Sequence, residues 1–294
     1  MAHKNVIELL APAGGPEPFN AALAAGADAI YCGLGNDFNA RRSAKNFTEE
    51  TFAEACRRAH LAGARVYVTV NVAIATREIP RVLDLVRRAW LLGADAFIIQ
   101  DWGLFCEIRR AWPQIETHVS TQANIHDARG TAWCRQMGAD RVTLSRELSL
   151  KEISRIAEEG VELECFGHGA LCFCYSGVCM MSSLATGRSA NRGECSQLCR
   201  LPYDVETKEG QALARRKHVL SLKDNDQSAN LEALIDAGAV RLRPILLTTL
   251  AILLGSVILI PDPVFGGLAI TFIFGTVAST IGTIFLVPVL LNYY

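Results

Sequence analysis

The side chains best suited to chemistry crowd into positions 165–200, where six of the ten cysteines fall. Cys172, Cys179, Cys195 and Cys199 are separated by six, fifteen and three residues, so one short stretch supplies four thiolates. Four sulfur donors suit a tetrahedral zinc ion or a [4Fe–4S] cluster. The Cys-x-x-Cys pair usual for structural zinc is absent from this set, which favours iron–sulfur over zinc. Cys174 is a fifth candidate. Free cysteine is often plain core filling, and that is the expectation for the isolated Cys32, Cys56, Cys106 and Cys134. Four cysteines set among Gly, Ser and Arg favour ligation instead. The loop Thr186-Gly-Arg-Ser-Ala-Asn-Arg-Gly193 offers Arg188 and Arg192 as phosphate contacts, against the plainer reading of a solvated loop.

Something must hold that segment in place. Up to about residue 167 the chain repeats one unit: a helical stretch, a glycine, a small or polar residue, then a short β-rich run. Gly26, Gly63, Gly93, Gly138 and Gly160 stand where a left-handed helix cap is expected. The expected strands are Val6–Leu10, Ala29–Cys32, Val66–Val70, Ala96–Ile99, Thr117–Ser120, Arg141–Leu144 and Leu163–Phe166. Strands alternating with helices imply an α/β fold, a parallel sheet with helices outside. Their number favours a TIM-like (β/α) barrel over a flavodoxin-like open sheet.

Chemistry in such barrels sits at the C-terminal ends of the strands. Those ends carry Asn71, Gln100 with Asp101, Ser120 with Gln122, Arg146 with Glu147, and His168. Asn71, Gln122, Glu147 and His168 are therefore candidate catalytic residues, although loop or cap duty is the plainer role for each. Gly33-Leu-Gly35 lacks the third glycine of a dinucleotide fingerprint. No Gly-x-Ser-x-Gly elbow and no His-Glu-x-x-His occurs, so neither a serine hydrolase nor a zincin is signalled.

The 294 residues are half apolar and carry a formal charge of −1. That excludes a disordered chain and a globally basic DNA binder. The N-terminus shows no export signal, so the body is expected in the cytoplasm with reduced thiols. All 29 Lys and Arg precede Pro244, and beyond it the only charge is Asp262. The chain thus reads as a soluble domain over 1–239 and a two-helix membrane segment over 240–294.

Glu8-Leu-Leu-Ala-Pro-Ala-Gly14, His168-Gly-Ala-Leu-Cys172 and Tyr175-Ser-Gly-Val-Cys179 resemble the collagenase-like peptidase family U-32. Thr186–Gly193, Cys195-Ser-Gln-Leu-Cys199-Arg-Leu-Pro-Tyr203 and Leu220–Asn230 resemble its ribosomal-RNA-hydroxylating branch. The resemblance covers roughly residues 5–239. It implies a TIM-like barrel in which Cys172, Cys179, Cys195 and Cys199 hold a [4Fe–4S] cluster, with Cys199 the family's variable fourth ligand. It also implies pyrimidine 5-hydroxylation of ribosomal RNA linked to prephenate, with rRNA or tRNA as partner. Arg188 and Arg192 would contact that RNA. A metal-dependent peptidase, as the older family name says, is the second reading.

The resemblance stops after Gly238. The family continues into a further strand, whereas here the chain turns apolar, so the barrel is expected to be truncated before its last strand. Ile245–Ile260 and Val264–Leu291, joined by Pro-Asp-Pro, read as an all-α transmembrane hairpin that would place residues 244–291 in a bilayer, the bacterial inner membrane. Arg241-Leu-Arg-Pro-Ile-Leu-Leu-Thr-Thr249, Phe265-Gly-Gly-Leu-Ala269 and Phe285-Leu-Val-Pro-Val289 resemble the last two membrane helices of resistance-nodulation-division efflux pumps. The chain is then a chimera. No transport is expected, because the acidic residues of proton coupling are missing. A third reading is an inactive membrane-tethered remnant.

Overall fold

The computed structural model describes residues 7–231 and Ala233. All lie in the first of two units into which the chain divides, Met1–Gly238. Residues 240–294, and with them the expected membrane hairpin, lie outside the described residues. Among the described residues no helix is long and apolar enough to cross a membrane.

Seven strands run in chain order through one all-parallel sheet: β1 (Leu10–Ala13), β2 (Ala29–Cys32), β3 (Arg65–Val70), β4 (Ala96–Ile99), β5 (Glu116–Val119), β6 (Arg141–Thr143) and β7 (Glu162–Glu164). The connecting helices are α1 (Pro16–Ala24), α2 (Glu49–Leu61), α3 (Ile79–Leu91), α4 (Trp102–Ala111), α5 (Ala128–Gln136) and α6 (Leu150–Ala157). The first strand begins at Leu10 rather than Val6. The others fall within a residue or two of expectation. Among the described residues β1 and β7 do not pair, so the TIM-like barrel, expected to be truncated before its last strand, is an open, curled seven-stranded sheet.

Local chemistry accounts for the elements. Thr48, Asp101, Asp127 and Ser149 cap α2, α4, α5 and α6 with their side-chain oxygens, each satisfying a backbone N–H left orphaned in the first turn. The five helix-ending glycines all have positive φ. The Asp that follows three of them has a second duty. Asp28 accepts from Leu9 N at 2.8 Å, Asp95 from Val66 N at 2.7 Å and Asp140 from Thr117 N at 2.8 Å. Each repeat thereby ties its own strand entrance to the backbone beginning the preceding strand.

Strand alternation separates two interiors. Ile30, Cys32, Val66, Val68, Val70, Phe97, Ile99, Val119 and Val142 face the helices in the main core. Ala29, Tyr67, Ala96 and Ile98 form a smaller cluster on the concave face. That face is otherwise polar. Arg141 of β6 donates to Glu8 and Glu162 at 2.6 and 2.7 Å. Tyr67 donates to Glu8 at 2.7 Å, and its ring meets that of His118 edge-on at 4.8 Å. His118 bonds Glu116 at 2.8 Å. Contacts from β3 and β6 to the residue just ahead of β1 curl the sheet.

Candidate functional site

The cysteine segment leaves the C-terminal end of β7 and is fastened across the strand ends. Its short β8 (His168–Gly169) pairs antiparallel with Asn225–Asp226, and it carries the α-helix α7 (Met181–Thr186) followed by two 3-10 turns, Ala190–Arg192 and Leu198–Arg200. Ala73 N, in the loop after β3, donates to Asn191 O at 3.0 Å. The Asn191 side chain accepts from Cys179 N at 3.0 Å. Arg192 grips Glu78 with two hydrogen bonds, at 2.6 and 3.0 Å, and reaches Ala73 O at 2.9 Å. Arg42, after β2, pairs with Glu194 at 2.9 Å. The tightest approach is at Gly177, where an added Cβ would stand 1.9 Å from Gln122 O. A side chain there would lift the loop off the strand end, and the positive φ of 77° disfavours one as well.

Five thiols converge in this segment. Burial pushes the Cys174 thiol up to about 11, aided by a hydrogen bond with Cys179 and by the nearness of Cys172 and Cys199. Burial also raises Cys199, with Cys172, Cys195 and Cys179 adding to the rise while Arg200 opposes it. Crowded thiols resist ionisation because neighbouring thiolates repel. Sulfur donors are the type that zinc and iron–sulfur clusters take. Among the described residues no three ligating side chains stand at metal-holding distance. Cys32, Cys56 and Cys134 are buried in the main core, as expected of isolated cysteines, whereas Cys106 is exposed.

The remaining candidates separate by environment. Asn71 accepts from Ala40 N at 2.9 Å, holding the loop after β2. Asp101 caps α4 and also accepts from Ile74 N, and Ser120 accepts from Gln122 N, so these two are structural. Gln122 lies under Gly177, through its backbone. Glu147 and His168 are exposed. Arg192 is paired with Glu78 and is 40% exposed along its side chain. Arg188 remains exposed. Arg146 stacks on the Phe166 ring at 4.3 Å. Burial lowers its pKa, Cys172 opposes that, and Arg41 reinforces it. Phe173 and Tyr175, on either side of Cys174, are 45% and 59% exposed.

The concave face holds a feature that periodicity did not reveal. Five buried side-chain atoms lack a hydrogen-bond partner among the described residues: Gln100 Oε1, His118 Nδ1, Arg141 Nε, Thr143 Oγ1 and Glu164 Oε2. All five belong to inward positions of β4 to β7 or the residue just past β4. The sequence signal was polar residues at alternate positions of short strands, which reads equally well as a solvent face.

The family model described as Peptidase family U32 matches residues 14–243. The 23S rRNA 5-hydroxycytidine C2501 synthase of Escherichia coli (strain K12) is 42% identical over 233 residues, covering 79% of this chain and 35% of that protein. The tRNA hydroxylation protein P1 of Bacillus subtilis (strain 168) is 37% identical over 204 residues, covering 69% of this chain and 48% of that protein. The chain therefore spans between a third and a half of the length of these curated relatives. The solved structure of the U32 peptidase Mk0906 is similar with a TM-score of 0.49 at 15% identity, covering 75% of this chain and 92% of that one.

Proposed function

The chain belongs to peptidase family U32, and on that basis we propose that it carries the catalytic barrel of an RNA-modifying hydroxylase. The finer reading is 5-hydroxylation of a pyrimidine in ribosomal RNA, with Cys172, Cys179, Cys195 and Cys199 holding a [4Fe–4S] cluster and prephenate as co-substrate. The observation that carries it is the convergence of five thiols in a segment pinned across the strand ends. Two relatives named for RNA hydroxylation support the substrate class.

Replacing the ring C5–H by C5–OH removes two electrons from the base, and no amino-acid side chain offers that chemistry. A bound cluster would relay those electrons one at a time, and a co-substrate would have to accept the pair and provide the oxygen atom. The chain's own residues position the base. Phe173 and Tyr175 present open ring faces beside the cysteines, on which an unstacked base can lie. Arg146, braced by Phe166, and the exposed Arg41 supply positive charge at the same mouth for phosphate or carboxylate.

The test is iron, sulfide and zinc content of the full chain purified without oxygen in mild detergent, wild type beside Cys172→Ala, with nucleoside mass spectrometry of treated rRNA. Iron with sulfide, lost in the variant, and a cytidine one oxygen heavier support the reading. One zinc and no iron would make the cysteines a structural site. Cleavage of gelatin that survives Cys172→Ala would favour the peptidase reading that the family name carries. No metal and no product would favour the inactive remnant. The bilayer tether at 244–291 rests on composition alone. Recovery of the full chain, but not of a chain ending at Gly238, in the membrane fraction would support it.

A further inference from the structure

We propose that Arg41 and Arg146, with the hydroxyl of Tyr31, form a binding site for a small dianion, a dicarboxylate or a phosphate monoester, at the mouth of the sheet beside Cys172. The site stands on its own geometry. Its role, holding the co-substrate of the hydroxylation, rests on the reading above.

Arg146 lies three residues past the end of β6, and Phe166 lies two past the end of β7. These strands pair in parallel, so their ends emerge side by side. The Arg146 guanidinium is thereby laid over the Phe166 ring, 4.3 Å from its centroid. A guanidinium stacked by its face keeps its five in-plane N–H donors directed outward. Among the described residues they meet no acceptor. Glu147 and Cys172 lie close, but neither is hydrogen-bonded to them. A half-buried charge without a partner is unfavourable. Burial works against the charge on Arg146, and the like charge of Arg41 adds to that.

Arg41 arrives from the loop between β2 and α2. Its backbone is fixed there, because Arg41 N donates to Asn39 Oδ1 at 2.8 Å and Ala40 N to Asn71 Oδ1 at 2.9 Å. Its side chain is exposed. Tyr31 stands on β2 beside the small inward cluster of Ala29, Tyr67, Ala96 and Ile98. Both arginines are charged neighbours of its hydroxyl, with Glu164 on its other flank. Curling of the sheet thus brings β2 and β6, which do not pair, to one mouth. These donors are not sealed in. No atom of Arg41, Arg146 or Tyr31 is among the buried side-chain atoms that lack a partner, so their unpaired donors face water and are open to a ligand.

Two guanidinium ions held at one mouth, with no carboxylate bound to either, attract anions. Their planar forks match the paired oxygens of a carboxylate or phosphate, and the Tyr31 hydroxyl adds a further donor. Two cations are matched by two negative charges on one small molecule. An internal RNA phosphodiester brings one, and solvated cations such as the exposed Arg188 serve it better. The nearness of Cys172 to Arg146 sets the bound dianion beside the cysteine segment, where the co-substrate of a redox step belongs.

The test titrates malonate, and separately inorganic phosphate, into the full chain in mild detergent with no RNA present, followed by calorimetry. Arg41→Gln and Arg146→Gln are each expected to bind the tighter of the two about tenfold more weakly, the loss of one charge-assisted pair. Tyr31→Phe should weaken it about threefold, the loss of one neutral hydrogen bond. Arg129→Gln, which removes an exposed arginine of α5, should leave it unchanged. Tighter malonate assigns a dicarboxylate, and tighter phosphate a phosphate monoester. Binding of neither probe would overturn the proposal, as would equal affinity in wild type and Arg41→Gln. Equal loss in Arg129→Gln would show diffuse charge and would overturn it too. So would a tenfold loss of single-stranded oligocytidine binding in Arg146→Gln that malonate does not compete with, because the contact would then be RNA backbone. Should Arg146→Gln fail to fold, the exposed Arg41 decides by the same criterion. Binding is read without product formation, so a chain that binds malonate but never hydroxylates RNA sinks the functional reading and leaves the anion site standing.

Discussion

Arg141 donates from Nη1 to Glu8 Oε1 at 2.6 Å, joining the sixth strand to the residue ahead of the first across 133 positions of chain. Its Nη2 reaches Glu162 on β7, and its guanidinium lies 5.4 Å over the Tyr67 ring of β3. One buried cation thus gathers four parts of a sheet that strand pairing leaves open.

Removing that cation leaves Glu8 with no partner but Tyr67 and a distant Arg65. Arg141→Met is therefore expected to lower the unfolding free energy by about 3–5 kcal/mol, the cost of stranding a buried charge. Arg141→Lys should recover little, because an ammonium cannot serve both carboxylates from one planar fork. Urea unfolding followed by tryptophan fluorescence checks this. A loss below about 1 kcal/mol would show that the network is solvated.

Two carboxylates set an acid limit. Glu116 lies at about 2, since hydrogen bonds from His118 and Arg65 outweigh the upward push of burial. Glu78 is also lowered to about 2, chiefly by its hydrogen bonds from Arg192 and then Ala75 N. Both ionise more readily folded than unfolded. Their contribution is complete above the unfolded value of about 4.5 and is lost as pH falls toward 2. The melting temperature should drop across that window. Glu116→Gln and Glu78→Gln should each flatten the drop while lowering stability at neutral pH.

Gly177→Ala should detach the cysteine loop without unfolding the sheet. The expected result is unchanged far-UV circular dichroism, faster proteolysis within 165–200 and a several-fold loss of bound metal. Equal metal content in variant and wild type would show that the Gln122 contact does not position the site.

The fifth thiol separates ligand from neighbour. Cys174→Ser is expected to retain metal, whereas Cys172→Ala and Cys179→Ala lose it. Because burial and the neighbouring thiols raise the pKa of Cys199, a proposed ligand, loading should release protons and weaken as pH falls. Zinc titration in two buffers of different ionisation enthalpy reads this directly.

The two loop arginines should behave differently toward RNA. Arg188→Ala is expected to weaken binding evenly across sequences and reduce the salt slope by about 1. Arg192→Ala should act through its ion pair with Glu78, raising proteolytic sensitivity of the loop more than it changes the salt slope. Equal salt slopes in wild type and Arg188→Ala would remove that residue from the interface.

Much of this was legible before any coordinates. The Gly-Ala-Asp phrases marked helix ends because a left-handed cap and the strand after it are local events within a few residues. The clustering of cysteines between 165 and 200 was legible for the same reason. The second duty of Asp28, Asp95 and Asp140 was not legible, since each bonds a backbone N–H from 19 to 29 positions earlier. The ion pair of Arg192 with Glu78 was not legible either, because the two lie 114 positions apart.

The sequence by itself determined the order of the strands, the caps of the helices and the clustering of sulfur in one segment, because all are set by neighbours along the chain. Only the tertiary structure decided that the concave face is polar, that Arg141 gathers it, and that the cysteine loop is pinned over its end. Those follow from curvature, which brings residues a hundred or more positions apart within hydrogen-bond distance, and no local pattern encodes which of them will meet.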